Sequence, residues 1–188
     1  SNNVSAFTIN PINGTLTPIS GSPFAAGVRA AGVAVDPSGR FLYVANGNSG
    51  TVPAFAIDAS TGALSPIAGS PFPLGAGTFG VAVEPTGRFL YLANSSVSGV
   101  SAFTIDASTG ALTAVAGSPF PSGGVQTFGV AVDPSGRFVY VTNRSSGDVS
   151  AFTIDASTGA LTPVGSPVAA GTSPVTNPFP VTTTGTIQ

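Results

Sequence analysis

The chain repeats itself along most of its length. The string Val-Ser-Ala-Phe-Thr-Ile begins at Val4, Val100 and Val149, and the variant Val-Pro-Ala-Phe-Ala-Ile begins at Val52, so the spacings are 48, 48 and 49 residues. A unit of this length is one supersecondary structure that cannot bury its apolar residues alone and must pack against its neighbours. The fold is therefore an array of similar units, and this repeat restricts the possible folds more strongly than any other feature of the sequence.

Each repeat contains a block that predicts a β-hairpin. The block reads Gly-Val-Ala-Val-Asp-Pro-Ser-Gly-Arg-Phe-Leu-Tyr-Val-Ala-Asn at 32–46, and close relatives occupy 80–94 and 129–143. Its centre, Asp-Pro-Ser-Gly at 36–39, has Asp, Pro and Gly at positions that favour a type I turn. The flanking segments are apolar on both faces and rich in β-forming residues, as expected for strands of a sheet that is covered on both sides. We call these strands A and B.

A second hairpin follows in each repeat. Segments 100–105 and 111–115 read as strands C and D, joined by Asp-Ala-Ser-Thr-Gly at 106–110, whose glycine can adopt the positive φ that such a turn requires. The string Gly-Ser-Pro-Phe then recurs, beginning at Gly21, Gly69 and Gly117. We expect it to start the crossing to the next unit, because its proline cannot donate a further ladder hydrogen bond.

Four strands every 40 to 50 residues are typical of the blades of a β-propeller. The sequence therefore predicts an all-β fold of about four repeats of 48 residues, each a four-stranded antiparallel meander. A β-solenoid is the rival fold, although its repeats are usually shorter. No window has an apolar period of 3.6 residues over a helical length, so helix should be minimal.

The predicted organisation is one repeat domain over 1–188. It comprises strands C and D of a first blade at 4–20, repeat units at 30–67, 79–115 and 128–164, and a degenerate tail at 169–188. In that tail Phe179 and Val181 align with strand A, and Ile187 aligns with the start of strand B. Three forms stay open: a closed ring of four blades, an open arc of a larger ring, and pairing or swapping of strand edges between copies to give a dimer or fibre.

Composition excludes several classes of function. Charged residues are 6% of the chain and the formal net charge is −2, which leaves no basic surface for nucleic acid. No apolar stretch reaches about 18 residues, so we expect no membrane insertion. Cysteine and histidine are absent, so no thiolate, disulfide or imidazole site is possible. We predict no cofactor and no metal, and the ligand is unknown.

The first residue of the chain and its composition also predict how the protein is processed and where it is located. Because it begins at Ser1 and contains no Met, we expect a processed product or an excerpt of a longer chain. Its low charge and its richness in Thr, Ser, Gly and Ala resemble exported bacterial proteins. We therefore predict an extracellular, cell-surface or periplasmic location.

Most charged residues follow the repeat, which indicates a structural role. They are the turn carboxylates Asp36, Glu84 and Asp133, the arginines Arg40, Arg88 and Arg137, and the second-hairpin carboxylates Asp58, Asp106 and Asp155. We expect each turn carboxylate to form a weak ion pair with the arginine four residues later. Tyrosines recur at one strand position, Tyr43, Tyr91 and Tyr140, and we interpret them as packing residues.

Three charged residues break the pattern and are the candidate interaction residues: Arg29, Arg144 and Asp148. All three lie in inferred connections, where binding residues are common. Arg144 and Asp148 could equally pair with each other. No serine has a histidine or lysine partner to activate it, so no catalytic residue is predicted.

The repeat strings at about 4–168 resemble those of the lactonase-type seven-bladed propellers, the family similar to 6-phosphogluconolactonase. Seven blades would need about 340 residues at this period, so the chain supplies roughly half. The resemblance implies His, Glu and Arg side chains in a central channel. Since the chain has no His, none of the family's catalytic residues can be assigned to it.

Three functions follow as hypotheses. The first is a non-enzymatic structural or interaction module of an exported protein, assembling with itself through blade edges. The alternative is a fragment of a lactonase-like enzyme whose catalytic residues lie outside this chain. The third is a small-ligand binder at the propeller channel.

Overall fold

The predicted hairpins are the building units of the structure. The computed structural model describes residues 2–75 and 77–170, and every regular element within them is a β-strand. In the three complete repeats, strands A to D lie side by side in chain order as one antiparallel sheet. The sequence prediction of an all-β meander without helix is therefore confirmed for the described residues.

The first blade has only its C and D strands in the described part of the chain. Its strands are β1 (Asn3–Val4), β2 (Phe7–Ile9), β3 (Leu16–Pro18) and β4 (Phe24–Ala25). The pairs β2–β3 and β1–β4 form two short ladders.

The second, third and fourth blades each carry strands A to D. The second blade consists of β5 (Ala30–Val35), β6 (Phe41–Asn46), β7 (Thr51–Val52), β8 (Ala54–Ile57), β9 (Leu64–Pro66) and β10 (Phe72–Pro73). The third consists of β11 (Thr78–Val83), β12 (Phe89–Asn94), β13 (Gly99–Ile105), β14 (Leu112–Ala114) and β15 (Phe120–Pro121). The fourth consists of β16 (Thr127–Val132), β17 (Phe138–Asn143), β18 (Asp148–Ile154), β19 (Leu161–Pro163) and β20 (Val168–Ala169).

The Gly-Ser-Pro-Phe string does not start the crossing, contrary to the expectation from its proline. Phe120 and Pro121 form β15, which pairs with Val100 and Gly99 at the start of strand C. The proline only interrupts the outer strand, because the Ser118 hydroxyl accepts the Ala102 N–H at 2.9 Å in place of a ladder carbonyl. The outer edge of each blade is therefore one strand in two pieces.

The carboxylate of the A–B turn binds backbone amides. Asp36 accepts hydrogen bonds from the N–H groups of Ser38, Arg40 and Phe41 at 3.1, 2.8 and 2.7 Å. Burial raises the pKa of Asp36, but bonds from the Ser38 hydroxyl and these amides outweigh it and lower the pKa overall. The expected ion pair with the arginine is wrong, because Arg40 turns its guanidinium away to the Ala107 carbonyl of the next blade.

Adjacent blades meet through a repeated contact with two sides, one on each blade. We call these sides the strand-B clamp and the hairpin socket. The clamp is the Arg-Phe-x-Tyr segment at the start of strand B, at 40–43, 88–91 and 137–140, and the socket is the C–D turn with the strands beside it. Tyr43 donates to the Gly110 carbonyl at 2.9 Å, and Tyr91 donates to the Gly159 carbonyl at 3.1 Å. Burial, with a smaller effect of Asp36, raises the pKa of Tyr43 well above its ordinary value of 10.0, so this hydroxyl stays a donor.

The socket requires glycine for two reasons. Gly110 has a φ of +74°, and a Cβ there would lie 2.5 Å from the Phe41 ring of the preceding blade. Gly159 repeats this arrangement against Phe89. Arg88 completes the second copy of the contact by donating to the Ala156 carbonyl at 2.9 Å.

Inner strands of adjacent blades approach closely at a second glycine. A Cβ on Gly32 of β5 would lie 2.5 Å from the Phe79 carbonyl oxygen of β11, and one on Gly80 would lie 2.7 Å from the Phe128 carbonyl oxygen of β16. Between blades, apolar clusters are buried, with Tyr43 and Tyr91 fully inaccessible as the packing interpretation predicted.

Apolar residues are exposed at the first-blade end of the array. The first blade exposes 45% of Phe7, 68% of Ile9 and 59% of Leu16, although their equivalents at the fourth blade are packed. Val33 and Val35 on β5 are likewise about half exposed. Whether the array closes into a ring, belongs to a larger ring or pairs with another copy stays a prediction.

The tyrosine contact generates the first prediction. Tyr91→Phe should lower the free energy of unfolding by about 1–2 kcal/mol, because the buried Gly159 carbonyl loses its donor. Chemical denaturation measures the change. Tyr140→Phe is the matched control: this hydroxyl has no partner within residues 2–75 and 77–170, and we expect less than about 0.5 kcal/mol. Equal losses in both variants would contradict the contact.

The socket carboxylates predict a pH dependence. Hydrogen bonds from the hydroxyl and amide of Ser60 and Thr61 lower the pKa of Asp58 from 3.8 to about 2, and Ser157 and Thr158 do the same for Asp155. Because the folded pKa lies below the unfolded value, their stabilisation is complete above about pH 4 and is lost as the pH falls towards 2.

The melting temperature should therefore fall between about pH 4 and about pH 2, followed by circular dichroism. Asp155→Asn, which lacks the ionised state, should melt lower above pH 4 and show a shallower acid dependence. A melting temperature that stays constant across this range in the unmodified chain would contradict the prediction.

Candidate functional site

Strand A begins and strand B ends at the same edge of each blade, because the two strands are antiparallel. At this edge the phenyl rings of Phe79 and Phe128 stack with centroids 4.2 Å apart and an interplanar angle of 16°. The Arg29 guanidinium lies 5.2 Å from the Phe79 centroid, and the Arg144 guanidinium lies 5.2 Å from the Phe128 centroid. We call these four residues the arginine–phenylalanine cluster.

Three blades contribute to the cluster through positions where the repeat changes. Phe79 and Phe128 stand where the second blade has Ala31, and Arg144 stands where that blade has Gly47. A Cβ on Gly47 would lie 2.8 Å from the Phe79 ring and 3.3 Å from Cδ of Arg29. Glycine at this position therefore leaves the space in which Arg29 packs on Phe79.

The residue before strand A has a left-handed backbone in all three complete blades. Its φ is +60° at Arg29, +89° at Gly77 and +58° at Gln126. Glycine adopts this conformation without strain, whereas a long side chain in it costs of order 1 kcal/mol. Arg29 and Gln126 therefore occupy a position that glycine suits better, which points to a use for their side chains.

Polar groups surround the cluster. Arg29 donates from Nη1 to Asn48 Oδ1 at 2.9 Å, and Ser145 donates from Oγ to Gln126 Oε1 at 2.7 Å. The Arg144 amide donates to the Gln126 carbonyl at 2.8 Å, which fixes the loop carrying Arg144 against the start of strand A. Asn48, Ser145 and Gln126 are exposed, so this edge presents amides and hydroxyls beside the two arginines.

The structure brings two of the three sequence-predicted candidates together. Arg29 and Arg144 belong to the same cluster, whereas Asp148 begins β18 and accepts a hydrogen bond from Asn143 Nδ2 at 2.6 Å. The local pairing of Arg144 with Asp148 stays a prediction. Sequence reasoning missed Phe79 and Phe128, although phenylalanine replacing alanine in the repeat is a signal that could have identified them.

A buried asparagine ends strand B beneath this edge. In the fourth blade Thr127 donates to Asn143 Oδ1 at 3.0 Å, from the register position opposite it. In the second blade the opposite residue is Ala30, and Asn46 Oδ1 has no hydrogen-bond partner within the described residues. The missing threonine hydroxyl accounts for this unsatisfied oxygen.

Two arginines and one carboxylate, Asp148 at the start of β18, lie at this edge. The carboxylates of the A–B and C–D turns accept hydrogen bonds inside their own turns, at Asp36, Asp58, Glu84, Asp106, Asp133 and Asp155. Within residues 2–75 and 77–170 no three acidic side chains converge as a metal site would require. No helix that could span a bilayer occurs in this part of the chain. The arrangement suits an anion with an apolar face.

The sequence profile of the seven-bladed β-propeller lactonases matches residues 1–79 and 75–176. The chain belongs to this lactonase family. The predicted resemblance and the predicted all-β propeller fold are both confirmed. No curated protein sequence matches the chain.

Solved structures of similar fold include three with lactonase names. A 6-phosphogluconolactonase-like protein of Bacteroides fragilis is 25% identical with a TM-score of 0.79, over 90% of this chain and 49% of its own. One from Bacteroides uniformis is 21% identical with a TM-score of 0.78, over 89% and 49%. A periplasmic gluconolactonase of Pseudomonas aeruginosa is 24% identical with a TM-score of 0.74, over 89% and 50%. The chain thus spans about half the length of these proteins.

The unsatisfied asparagine generates a stability prediction. Ala30→Thr should raise the free energy of unfolding by about 1 kcal/mol, because the new hydroxyl can donate to Asn46 Oδ1 as Thr127 does to Asn143. Ala30→Val is the control of equal size without a hydroxyl, and it should give no such gain. Chemical denaturation distinguishes them, and a valine variant as stable as the threonine variant would contradict the hydrogen-bond explanation.

Proposed function

We propose that this chain forms about half of a lactonase-type propeller and binds the anionic group of a sugar lactone or its sugar acid at the arginine–phenylalanine cluster. The observation that carries the proposal is the convergence of Arg29 and Arg144 on one stacked pair of rings, from blades two and four.

Guanidinium groups suit this task. Each has five N–H donors in a planar fork that matches a carboxylate or a phosphate, and packing on an aromatic face fixes its plane without using its donors. The Arg29 guanidinium gives one donor to Asn48, and its other N–H groups contact no acceptor among the described residues. Arg29 is also exposed, so a ligand can reach it.

Membership of the lactonase family and the similarity to proteins named as gluconolactonases support a sugar-derived ligand. They favour the lactonase-like fragment over the non-enzymatic module, which is the first hypothesis from the sequence alone. Hydrolysis of a lactone needs a group that activates water. The chain has no histidine, and among the described carboxylates Asp148 alone stands outside the turns. We assign this chain a binding role, with proton transfer supplied by residues beyond those described.

A periplasmic or extracellular setting remains part of the proposal. It is supported by the low content of charged residues, 6% of the chain, and by the periplasmic neighbour from Pseudomonas aeruginosa.

The proposal is tested by titrating the chain with 6-phosphogluconate and with gluconate in a calorimeter, since both acids are stable in water. We expect binding of at least one acid, and we expect Arg29→Ala and Arg144→Ala each to weaken it about tenfold, equivalent to about 1.4 kcal/mol. Lysine at either position should restore part of the affinity, because it keeps the charge but loses the planar fork.

Arg137→Ala is the matched control. Arg137 also lies over a phenylalanine ring, at 5.4 Å from the Phe138 centroid, but it belongs to the A–B turn region and not to the cluster. Its replacement should leave the affinity unchanged. No binding of either acid, or equal loss in all three alanine variants, would overturn the proposed function.

A further inference from the structure

The two ends of the blade array carry opposite halves of one contact. Inside the chain, the strand-B clamp of one blade enters the hairpin socket of the next blade twice, at blades two to three and three to four. The fourth blade has a clamp with no following blade in the described residues. The first blade has a C–D turn and strands C and D, and no blade precedes it within the described residues.

The clamp of the fourth blade is complete and accessible. Arg137 lies over the Phe138 ring as Arg40 and Arg88 lie over theirs, at 5.4 Å against 5.1 and 4.9 Å. Arg137 is exposed, and Tyr140 is partly exposed, whereas Tyr91 is fully buried. Neither the Arg137 guanidinium nor the Tyr140 hydroxyl has a hydrogen-bond acceptor within residues 2–75 and 77–170.

The C–D turn of the outer socket at the first blade has the same backbone conformation as the turns that are already occupied. Gly14 ends its C–D turn with a φ of +73°, close to the +76° of Gly159, and nothing lies within 4 Å of the position that a Cβ would take. The apolar residues beside it, Phe7, Ile9 and Leu16, are exposed by 45%, 68% and 59%. Their repeat equivalents Phe152, Ile154 and Leu161 pack against the clamp of the third blade.

We propose that the strand-B clamp of the fourth blade docks into the first-blade socket of a second copy of this chain. Tyr140 would donate to the Gly14 carbonyl of that copy, Arg137 would donate to carbonyls at the tip of its Asn10–Gly14 turn, and Phe138 would cover Gly14. Phe7, Ile9 and Leu16 of the second copy would enclose the tyrosine ring.

A second copy fits this surface because its first blade repeats the C–D turn and the strands C and D that the clamp already binds twice within one chain. At the internal junctions strands A and B of the receiving blade also pack against the clamp, as Val130, Val139 and Val141 do in the fourth blade. The first blade supplies the C–D part of this contact, which includes the turn that accepts the tyrosine and arginine donors. The predicted strand-A remnant at Phe179 and Val181 lies outside the described residues. Since the two surfaces differ, the contact is head-to-tail and leads to a ring or a filament.

The contact is tested with two single-end variants of the full chain. Arg137→Glu disables the clamp and leaves the socket intact, whereas Ile9→Asp disables the socket and leaves the clamp intact. Both residues are exposed, so the fold should persist, which circular dichroism and the melting temperature verify. Val97→Asp is the matched control, because Val97 is 53% exposed in the loop between β12 and β13 and lies at neither end.

Light scattering coupled to size exclusion, over a range of concentrations, gives the readout. The unmodified chain and Val97→Asp should associate, while each end variant alone should weaken association at least tenfold. An equimolar mixture of the two end variants should give a heterodimer of twice 18.2 kDa that grows no further, because one functional clamp and one functional socket remain.

Three results would overturn the proposal. They are an unmodified chain that stays monomeric at every concentration, end variants that associate as well as the unmodified chain, and a mixture of the end variants that stays monomeric. If the mixture stays monomeric while the unmodified chain associates, the blades meet through another surface.

Discussion

Neighbouring blades are held together where a phenyl ring of one blade packs against a glycine of the next. A side chain at the glycine position would exclude the ring. The Phe41 ring occupies the space beside Gly110, and Tyr43 reaches past it to the glycine carbonyl at 2.9 Å. A buried tyrosine hydroxyl without an acceptor would cost about 1–3 kcal/mol, so the hydrogen bond and the apolar packing require each other. The burial of the inter-blade clusters depends on this arrangement at both complete junctions.

The inner glycines add a second constraint of the same kind. Gly32 and Gly80 let a neighbouring carbonyl oxygen approach to within 2.5 to 2.7 Å of the position that a Cβ would take. Strand A of each blade can therefore lie against strand A of the next. The same edge of these strands carries the arginine–phenylalanine cluster, so the close approach also determines how near Phe79 comes to Phe128.

Local chemistry explains which features could be predicted from the sequence. The turns at Asp36 and at Asp106 were predictable because a carboxylate, a proline and a glycine act within a few residues of each other. The destination of the Arg40 guanidinium was not, since its acceptor at Ala107 is 67 residues away. The proline before Phe120 predicts a crossing, but the Ser118 hydroxyl replaces the missing ladder bond and keeps Phe120 in the sheet. At the candidate site Arg29 and Arg144 stood out as charges that break the repeat, but only the packing of three blades shows that they share one pair of rings.

Each complete blade carries a strand-B clamp on one side and a hairpin socket on the other. The clamp of any complete blade therefore matches the socket of any other. In-frame duplication or loss of one repeat of 48 residues would then change the number of blades without requiring any new complementary surface. The residues of the arginine–phenylalanine cluster do not have this freedom, since they differ from blade to blade and depend on which blades are adjacent. Array length can therefore vary at little structural cost, whereas the order of blades two, three and four must be kept if the two arginines are to act together.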